Sequence, residues 1–469
     1  MEQRIEQDLR GQVSGDVLCD PLTLSLYGGD ASIYEQQPIA LVRPRNTADV
    51  ATTLRYAHEH GIPVQARGGG SGLAGGAVGG GLVVDFSRYM HRIISLGDST
   101  ARVQAGVVHA KLNRALAAQS RVFGPDPSTT QVTTMGGVLA VNASGRRWPL
   151  CGAARDHVES LKIVLADGEV LEVAAHSPGE AGPTQPTRLT QLLRAVADLG
   201  ERNRVVIQSH QPQTLVNASG YEMRLALEDP LPLAKLLVGS EGTLALITEA
   251  EVSTLPLPAS VKRALLLFDS LDKAVRCVAE IRQLAPSSCD LMDRRHLTIA
   301  REVDVRYDLI IPNAAEAVLL VEFSGDSDKE TRQQVDALVR LTQDELGLAA
   351  GYYVSEEYED DQLMEQLPRK FSETLHGLKG RRRATACIED IAVPPDGMAV
   401  FVHHLQDVLK RHQVTASLLS HALHGQLHIR PLLDLRLAED RRQMEILASE
   451  VYEKVWLLGG TISGEHGDG

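Results

Sequence analysis

Apolar positions recur along this chain at two periods, and each predicts a different element. Between 47 and 60, Val50, Leu54 and Ala57 fall three and four apart and Gly61 follows as a stop, which predicts a helix. The short apolar runs 62–66 and 82–86 flank a glycine cluster and read as strand, loop and strand. In LKIVLADGEVLEVA, 161–174, two apolar runs meet at Asp167-Gly168, a strong hairpin signal. The stretch HSPGEAGPTQPT, 176–187, has the composition of an exposed loop or insertion. A strand-like run from 244 to 252 ends at STLPLPAS, 253–260, and the main boundary is placed there. Beyond it, ALLLFDS (264–270) and AVLLVEFSG (317–325) read as strands that alternate with helical patterns at 271–284 and 329–346. That alternation predicts a second α+β unit whose sheet is covered on one face.

Length and charge narrow the class. At 469 residues the chain holds two or three domains and needs no disulfide staple. A net charge of −14 argues against a nucleic-acid or anionic-membrane surface, although the cluster Arg381, Arg382 and Arg383 is either a local anion contact or a solvated loop. The five cysteines are scattered without a C-x-x-C pair, so thiols are expected reduced and no iron–sulfur cluster can be assigned to this chain. The start, MEQRIEQDLRG, lacks an apolar core, and no stretch approaches the ~20 apolar residues that span a bilayer. A cytoplasmic protein without an integral membrane segment is expected, with peripheral attachment at the inner face of a membrane left open.

Two segments carry chemistry. RGGGSGLAGGAVGGG starts at Arg67 and places nine glycines within the fourteen residues 68–81. Backbone free to take positive φ can turn successive N–H groups inward and form an anion nest suited to a pyrophosphate; a flexible linker is the alternative. The loop is neither a Rossmann fingerprint, since a strand rather than a helix follows, nor a Walker loop, since no Gly-Lys-Ser/Thr occurs. Histidines gather in SHALHGQLHIRP as His421, His424 and His428, and the chain closes on GTISGEHGDG with Glu465 and His466. Imidazole and carboxylate suit a zinc-like ion, yet in a regular strand His421 and His428 would stand on opposite faces roughly 23 Å apart at ~3.3 Å per residue. A shared metal requires a bend, which Gly425 permits; a purely structural pair is the alternative.

The loop RGGGSG, then PDPSTTQVTTMGGVLAVNASG (125–145), then GSEGTLALITEAEV (239–252), resemble in order and spacing the vanillyl-alcohol-oxidase-type (PCMH-type) FAD-linked oxidoreductases. Within them the chain is most similar to the D-lactate, glycolate and D-2-hydroxyglutarate dehydrogenase branch. An I-E-D-x-A-V-P-P stretch at 388–395 resembles the long forms fused to iron–sulfur modules. The resemblance implies an α+β fold: a two-subdomain FAD-binding domain over 1–255 and an α+β substrate-binding cap with an antiparallel sheet over 256–469. It implies pyrophosphate contacts at Gly68, Gly69, Gly70, Ser71 and Gly72. Pro125, Thr134, Gly136, Gly137, Asn142 and Gly145 would line the flavin and ribityl region, with Glu241, Gly242 and Ile247 near the remaining cofactor surface. Covalent relatives carry a histidine where Ser71 stands, so FAD is expected to be non-covalent. Taken alone, MGGVLAVNASG also fits a tightly packed turn and GSEGT an ordinary loop before a strand.

In the family a G-H-x-G-D-G-N-x-H segment supplies two metal-ligand histidines, matching His421 and His428, and a later G-E-H-G supplies a carboxylate ligand and a catalytic histidine, matching Glu465 and His466. Here Ser420 and Leu423 replace glycines, His424 replaces aspartate and Gln426 replaces asparagine; His424 is read as a surface residue in preference to a substrate contact. Arg369 matches the arginine of the family's W-x-x-R segment, without the tryptophan, and is otherwise a surface arginine on a helix.

Oxidising a D-2-hydroxy acid needs a hydride acceptor for C2–H and a base for the hydroxyl. Flavin N5 is the expected acceptor and His466, with an unperturbed pKa of ~6.5, the base. A divalent metal, expected to be zinc, on His421, His428 and Glu465 would polarise the hydroxyl, and Arg369 would grip the carboxylate. The partners implied are the small 2-hydroxy acid and an electron acceptor outside this chain, an iron–sulfur module or a quinone-linked protein. A non-redox flavin-binding subunit and an FAD-dependent C–O bond synthase remain the alternatives. Relatives continue past GEHGDG with a return segment, which this chain is expected to lack.

Overall fold

A computed structural model describes residues 2–174, 187–355 and 357–469. Of the stretch expected as a loop or insertion at 176–187, only Thr187 falls within them; it caps the helix Arg188–Arg202 by accepting from the Thr190 N–H at 3.2 Å.

Local signals fix the first elements. The helix Thr47–His60 begins where the Asn46 side chain accepts the Asp49 N–H at 2.9 Å and ends where Gly61 turns left-handed at φ 63°. Val64–Arg67 and Ala40–Arg43 both run parallel to Leu82–Asp85, and Asp16–Leu18 adds an antiparallel edge. Parallel pairing forces the chain to cross from the end of one strand back to the start of the next. Here that crossing is the glycine loop itself.

A second sheet is antiparallel, ordered Ile93–Leu96, Thr100–Gln104, Leu246–Ser253, Val158–Val164, Val170–Ala174. Its last two strands are the expected hairpin, with Gly168 at φ 83°. From Ser260 onward the described residues form one larger sheet, in which Gly351–Val354, Ser260–Phe268, Ala317–Gly325, Ser288–Asp293, Ala416–His421 and Gln426–Leu433 pair antiparallel in that order.

That sheet is covered on both faces, not one. Leu266, Leu319 and Val321 pack beneath the helices Leu271–Ile281 and Met398–Arg411, whereas Leu265, Val318 and Leu320 face Arg294–Val303 and Tyr358–Arg369. The uninterrupted run AVLLVEF is the pattern of a strand buried on both sides; reading it as half-exposed missed this. Among the described residues no helix is long and apolar enough to cross a membrane.

Charge rather than apolar packing joins the first part of the chain to this sheet. Arg146 Nε lies 2.7 Å from Asp290 and Arg147 Nε 2.7 Å from Glu322, which Arg263 Nε also meets at 2.9 Å. Asp290 and Glu322 are fully buried, and their arginines hold both carboxyls below the usual range despite that burial. Glu322→Ala would strand the arginines and is expected to cost about 3–5 kcal/mol. The measurement is a urea midpoint, which should fall at unchanged slope. Because the folded pKa of Glu322 is depressed, its stabilisation is complete above the ordinary value of 4.5 and drains as pH falls below it. Acid should therefore erase much of the gap between wild type and variant.

Candidate active site

The glycine loop is shaped by what lies against it. A Cβ on Gly68 would come within 2.1 Å of Thr134 Oγ1, and one on Gly69 within 2.3 Å of the Val132 carbonyl oxygen, so the loop nests on 132–134 only without side chains. Among the described residues none of the backbone N–H groups of Gly68, Gly69, Gly70, Ser71 and Gly72 has a hydrogen-bond partner. Five unsatisfied donors along a curve of four glycines and one serine suit the oxygens of a pyrophosphate. They open on a cavity of about 1380 Å³, mouth included. The 68–72 loop, Thr134, Gly136, Gly137, Glu241, Gly242 and Ile247 all line it. Three expected residues lie elsewhere. The Pro125 carbonyl accepts from His109 Nε2 at 2.8 Å, Asn142 lines a separate polar cavity, and Gly145 lines the neighbouring one described next.

The bend expected between the histidines is a complete hairpin. Ala416–His421 pairs with Gln426–Leu433 so that His421 lies opposite Gln426 and His428 opposite Leu419, and Gly425 turns the chain at φ 76°. This puts the two imidazoles diagonally on one face, with ring centroids 5.2 Å apart. Each ring is oriented from behind: His421 Nδ1 is 2.7 Å from Asp290 Oδ1, and His428 Nδ1 donates to the Glu389 carbonyl at 2.6 Å. Both Nε2 atoms therefore face Glu465 Oε1 bare, at 3.9 and 3.7 Å. Ligand atoms around a tetrahedral zinc stand about 3.4 Å apart, given bonds of ~2.1 Å, so the three groups fit one ion after a small contraction. Glu465 Oε2 is held by Ser144 Oγ at 3.1 Å and the Gly145 N–H at 2.8 Å.

Asp390 organises the chain end. Its carboxylate accepts from the N–H groups of Glu465 at 3.0 Å and His466 at 2.7 Å, from Ser463 Oγ at 2.9 Å and from Gln426 Nε2 at 2.7 Å. On the other side Glu241 accepts the Asp468 and Gly469 N–H groups at 2.8 and 3.0 Å. His466 Nδ1 lies 2.8 Å from Glu389 Oε1, an ion-pair distance without hydrogen-bond alignment, and Glu389 Oε2 in turn lies 2.5 Å from Arg430 Nε. The arrangement leaves His466 Nε2 toward Glu465, at 3.6 Å. Burial opposes the charged ring, but Asp390, Glu389 and Glu465 outweigh it and push the His466 pKa up to about 10. The expectation of a near-neutral value overlooked these carboxylates.

A second cavity, of about 520 Å³, holds His421, His428, Arg146, Arg369 and Arg430, and shares Leu73, Ser128, Glu465 and His466 with the first. Arg369 reaches it with its fork closed on Asp126, Nη1 donating to Oδ1 at 3.1 Å and Nη2 to Oδ2, while Nε donates to Glu365 at 3.1 Å. One Nη1 hydrogen remains for a ligand. Arg381, Arg382 and Arg383 line neither cavity.

His424 is not a surface residue. It is fully buried, 5.4 Å from the Trp148 ring and 5.6 Å from His421, with Nε2 3.2 Å from Gln426 Oε1, and burial lowers its pKa to about 3. The tight turn at Gly425 drives it inward. Glu389, Asp390, Asp290 and Arg430 were not singled out from sequence; the first two lie in the I-E-D stretch, the one available hint.

Comparison with known proteins bears on both cavities. The family described as "FAD binding domain" matches residues 38–174, and "FAD linked oxidases, C-terminal domain" matches 257–469. A D-2-hydroxyglutarate dehydrogenase of Pantoea ananatis is 31% identical over 96% of this chain and 46% of its own length. The glycolate oxidase subunit GlcD of Bacillus subtilis is 29% identical over 95% of this chain and 84% of its own. The chain thus spans about half the length of the D-2-hydroxyglutarate dehydrogenases it matches. Among solved structures, p-cresol methylhydroxylase superposes with a TM-score of 0.69 over 99% of this chain and 89% of that one at 14% identity, a likeness of fold alone.

Proposed function

Since the chain belongs to the FAD-linked oxidases, with that family's FAD-binding and C-terminal domains, we propose that it oxidises a D-2-hydroxy acid to the 2-oxo acid. Residues 1–255 would hold non-covalent FAD and 256–469 the substrate. The observation that supports this most is the wall of Glu465 and His466 shared by the glycine-lined cavity and the histidine-lined one. A base placed there reaches a molecule lying between the two.

A bound flavin supplies the two-electron sink, and a divalent ion, zinc by its donor set, supplies a Lewis acid. Gly68 to Gly72 would hold the pyrophosphate through their free N–H groups. His421, His428 and Glu465 would hold the ion, with Asp290 and the Glu389 carbonyl fixing which nitrogen faces inward. His466 takes the hydroxyl proton at Nε2. Glu389 keeps its place at Nδ1, and the three nearby carboxylates stabilise the imidazolium that forms. With Glu465 engaged by such an ion, the ring would feel less negative charge and be better able to accept. Arg369 offers its remaining N–H to the substrate carboxylate. The acceptor that reoxidises the flavin, an iron–sulfur or quinone-linked partner, is placed outside these residues.

Anaerobic mixing of the FAD-loaded protein with D-lactate, D-malate and D-2-hydroxyglutarate tests the proposal. At least one should bleach the flavin, and the L-enantiomers should not. A flavin that stays oxidised with every D-acid, in a preparation containing one equivalent of metal, would refute it.

A further inference from the structure

We propose that Arg67 supplies the positive charge that holds a dinucleotide's pyrophosphate in the glycine cradle, acting from its place against the loop. The inference rests on FAD being the occupant of that cavity. Two anionic phosphates need more than amide dipoles, and the lining also carries the carboxylates Glu241 and Glu465, with His466 beside the latter. Arg67 is the only lysine or arginine among the lining residues.

Its charge is not spent on an acid. Nη1 donates to the carbonyls of Tyr27 and Ala77, both at 3.2 Å, and Nη2 to that of Gly29 at 2.8 Å. Among the described residues it forms no ion pair with a carboxylate. Carbonyl partners orient a guanidinium without neutralising it. Its carbon lies 5.0 Å from the centre of the Tyr27 ring, itself fixed by donating to Asp85 at 2.6 Å and accepting from Arg43 at 3.0 Å.

The guanidinium is pressed against the loop. A Cβ on Gly70, where φ is 62°, would come within 2.7 Å of Arg67 Nη2 and 3.2 Å of its central carbon. Gly70 is therefore needed twice, for its left-handed backbone and for letting the cation approach. The neighbouring N–H groups of 68–72 have no acceptor among the described residues and stay free for a ligand. The cradle combines free backbone donors with a fixed full charge held against them.

Flavin fluorescence during titration of the FAD-free protein reads the affinity directly, without turnover. Arg67→Met should weaken FAD binding by about tenfold to a hundredfold, as a unit charge several ångströms away in a partly buried setting does. It should also flatten the ionic-strength dependence that the wild type shows. Arg67→Lys keeps the charge while losing the three-carbonyl clamp, and should recover the salt dependence and most of the affinity. Equal affinity for wild type and Arg67→Met would overturn the proposal, as would an Arg67→Lys protein as weak and as salt-insensitive as Arg67→Met. If Arg67→Met does not fold, wild type and Arg67→Lys decide: a wild-type affinity indifferent to salt, or a lysine variant that has lost the salt dependence, overturns it. A wild-type protein that binds no FAD at all instead removes the cofactor assignment beneath it.

Discussion

His466→Ala should slow substrate-driven bleaching of the flavin by about 10²–10⁴-fold while leaving FAD bound, the range that loss of a positioned proton acceptor commands. Retention of the cofactor follows from the geometry. The proposed phosphate cradle is made of backbone in 68–72, and its tight contacts are with Arg67 and residues 132–134 rather than with the chain end. Asp390 holds position 466 through its backbone N–H, which alanine keeps, so the turn carrying Glu465 survives the substitution. A protonated imidazole cannot accept a proton, and the neighbouring carboxylates favour the protonated form, so the wild-type rate should fall as pH falls. The variant should lose that dependence. Stopped-flow reduction without oxygen measures both, and an unaltered rate in His466→Ala would remove this residue from its assigned role.

Loss of the proposed divalent ion should be the second large effect. His428→Ala should lower metal affinity by more than about a hundredfold and take flavin reduction with it, since two ligands rarely retain an ion that three were placed to hold. This variant is cleaner than His421→Ala. The Nδ1 partner of His428 is a backbone carbonyl, whereas removing His421 also strips a hydrogen bond from the buried Asp290 carboxylate and mixes a stability loss into the result. Chelation of the wild type should reproduce the His428→Ala phenotype, and readdition of zinc should restore only the wild type. Full activity in a protein containing no metal would show that the imidazole pair is structural.

Much of the framework could be read from local pattern. Helix 47–60 carries its own cap and stop, the Asp-Gly hairpin its own turn, and the glycine loop announces itself by composition. What escaped was set by distant partners. A six-residue gap between His421 and His428 looks wrong for one metal when laid out as a strand, yet folded at Gly425 it brings the rings onto one face. Glu389 and Asp390 are unremarkable acids in sequence; they gain meaning because the chain end, some seventy-five residues later, docks on them. His424 misled because polar residues in hairpin turns usually face water, and this one is driven under Trp148.

The arginines that enter the larger sheet also decide how a substrate can arrive. Parting the two halves of the molecule would break the Arg146–Asp290 and Arg147–Glu322 ion pairs and expose their charges to water. A clamshell opening would therefore break and remake these pairs at every turnover. A route that leaves them closed runs past the side chains that line the second cavity, where Phe371 and Leu419 stand among the uncharged ones.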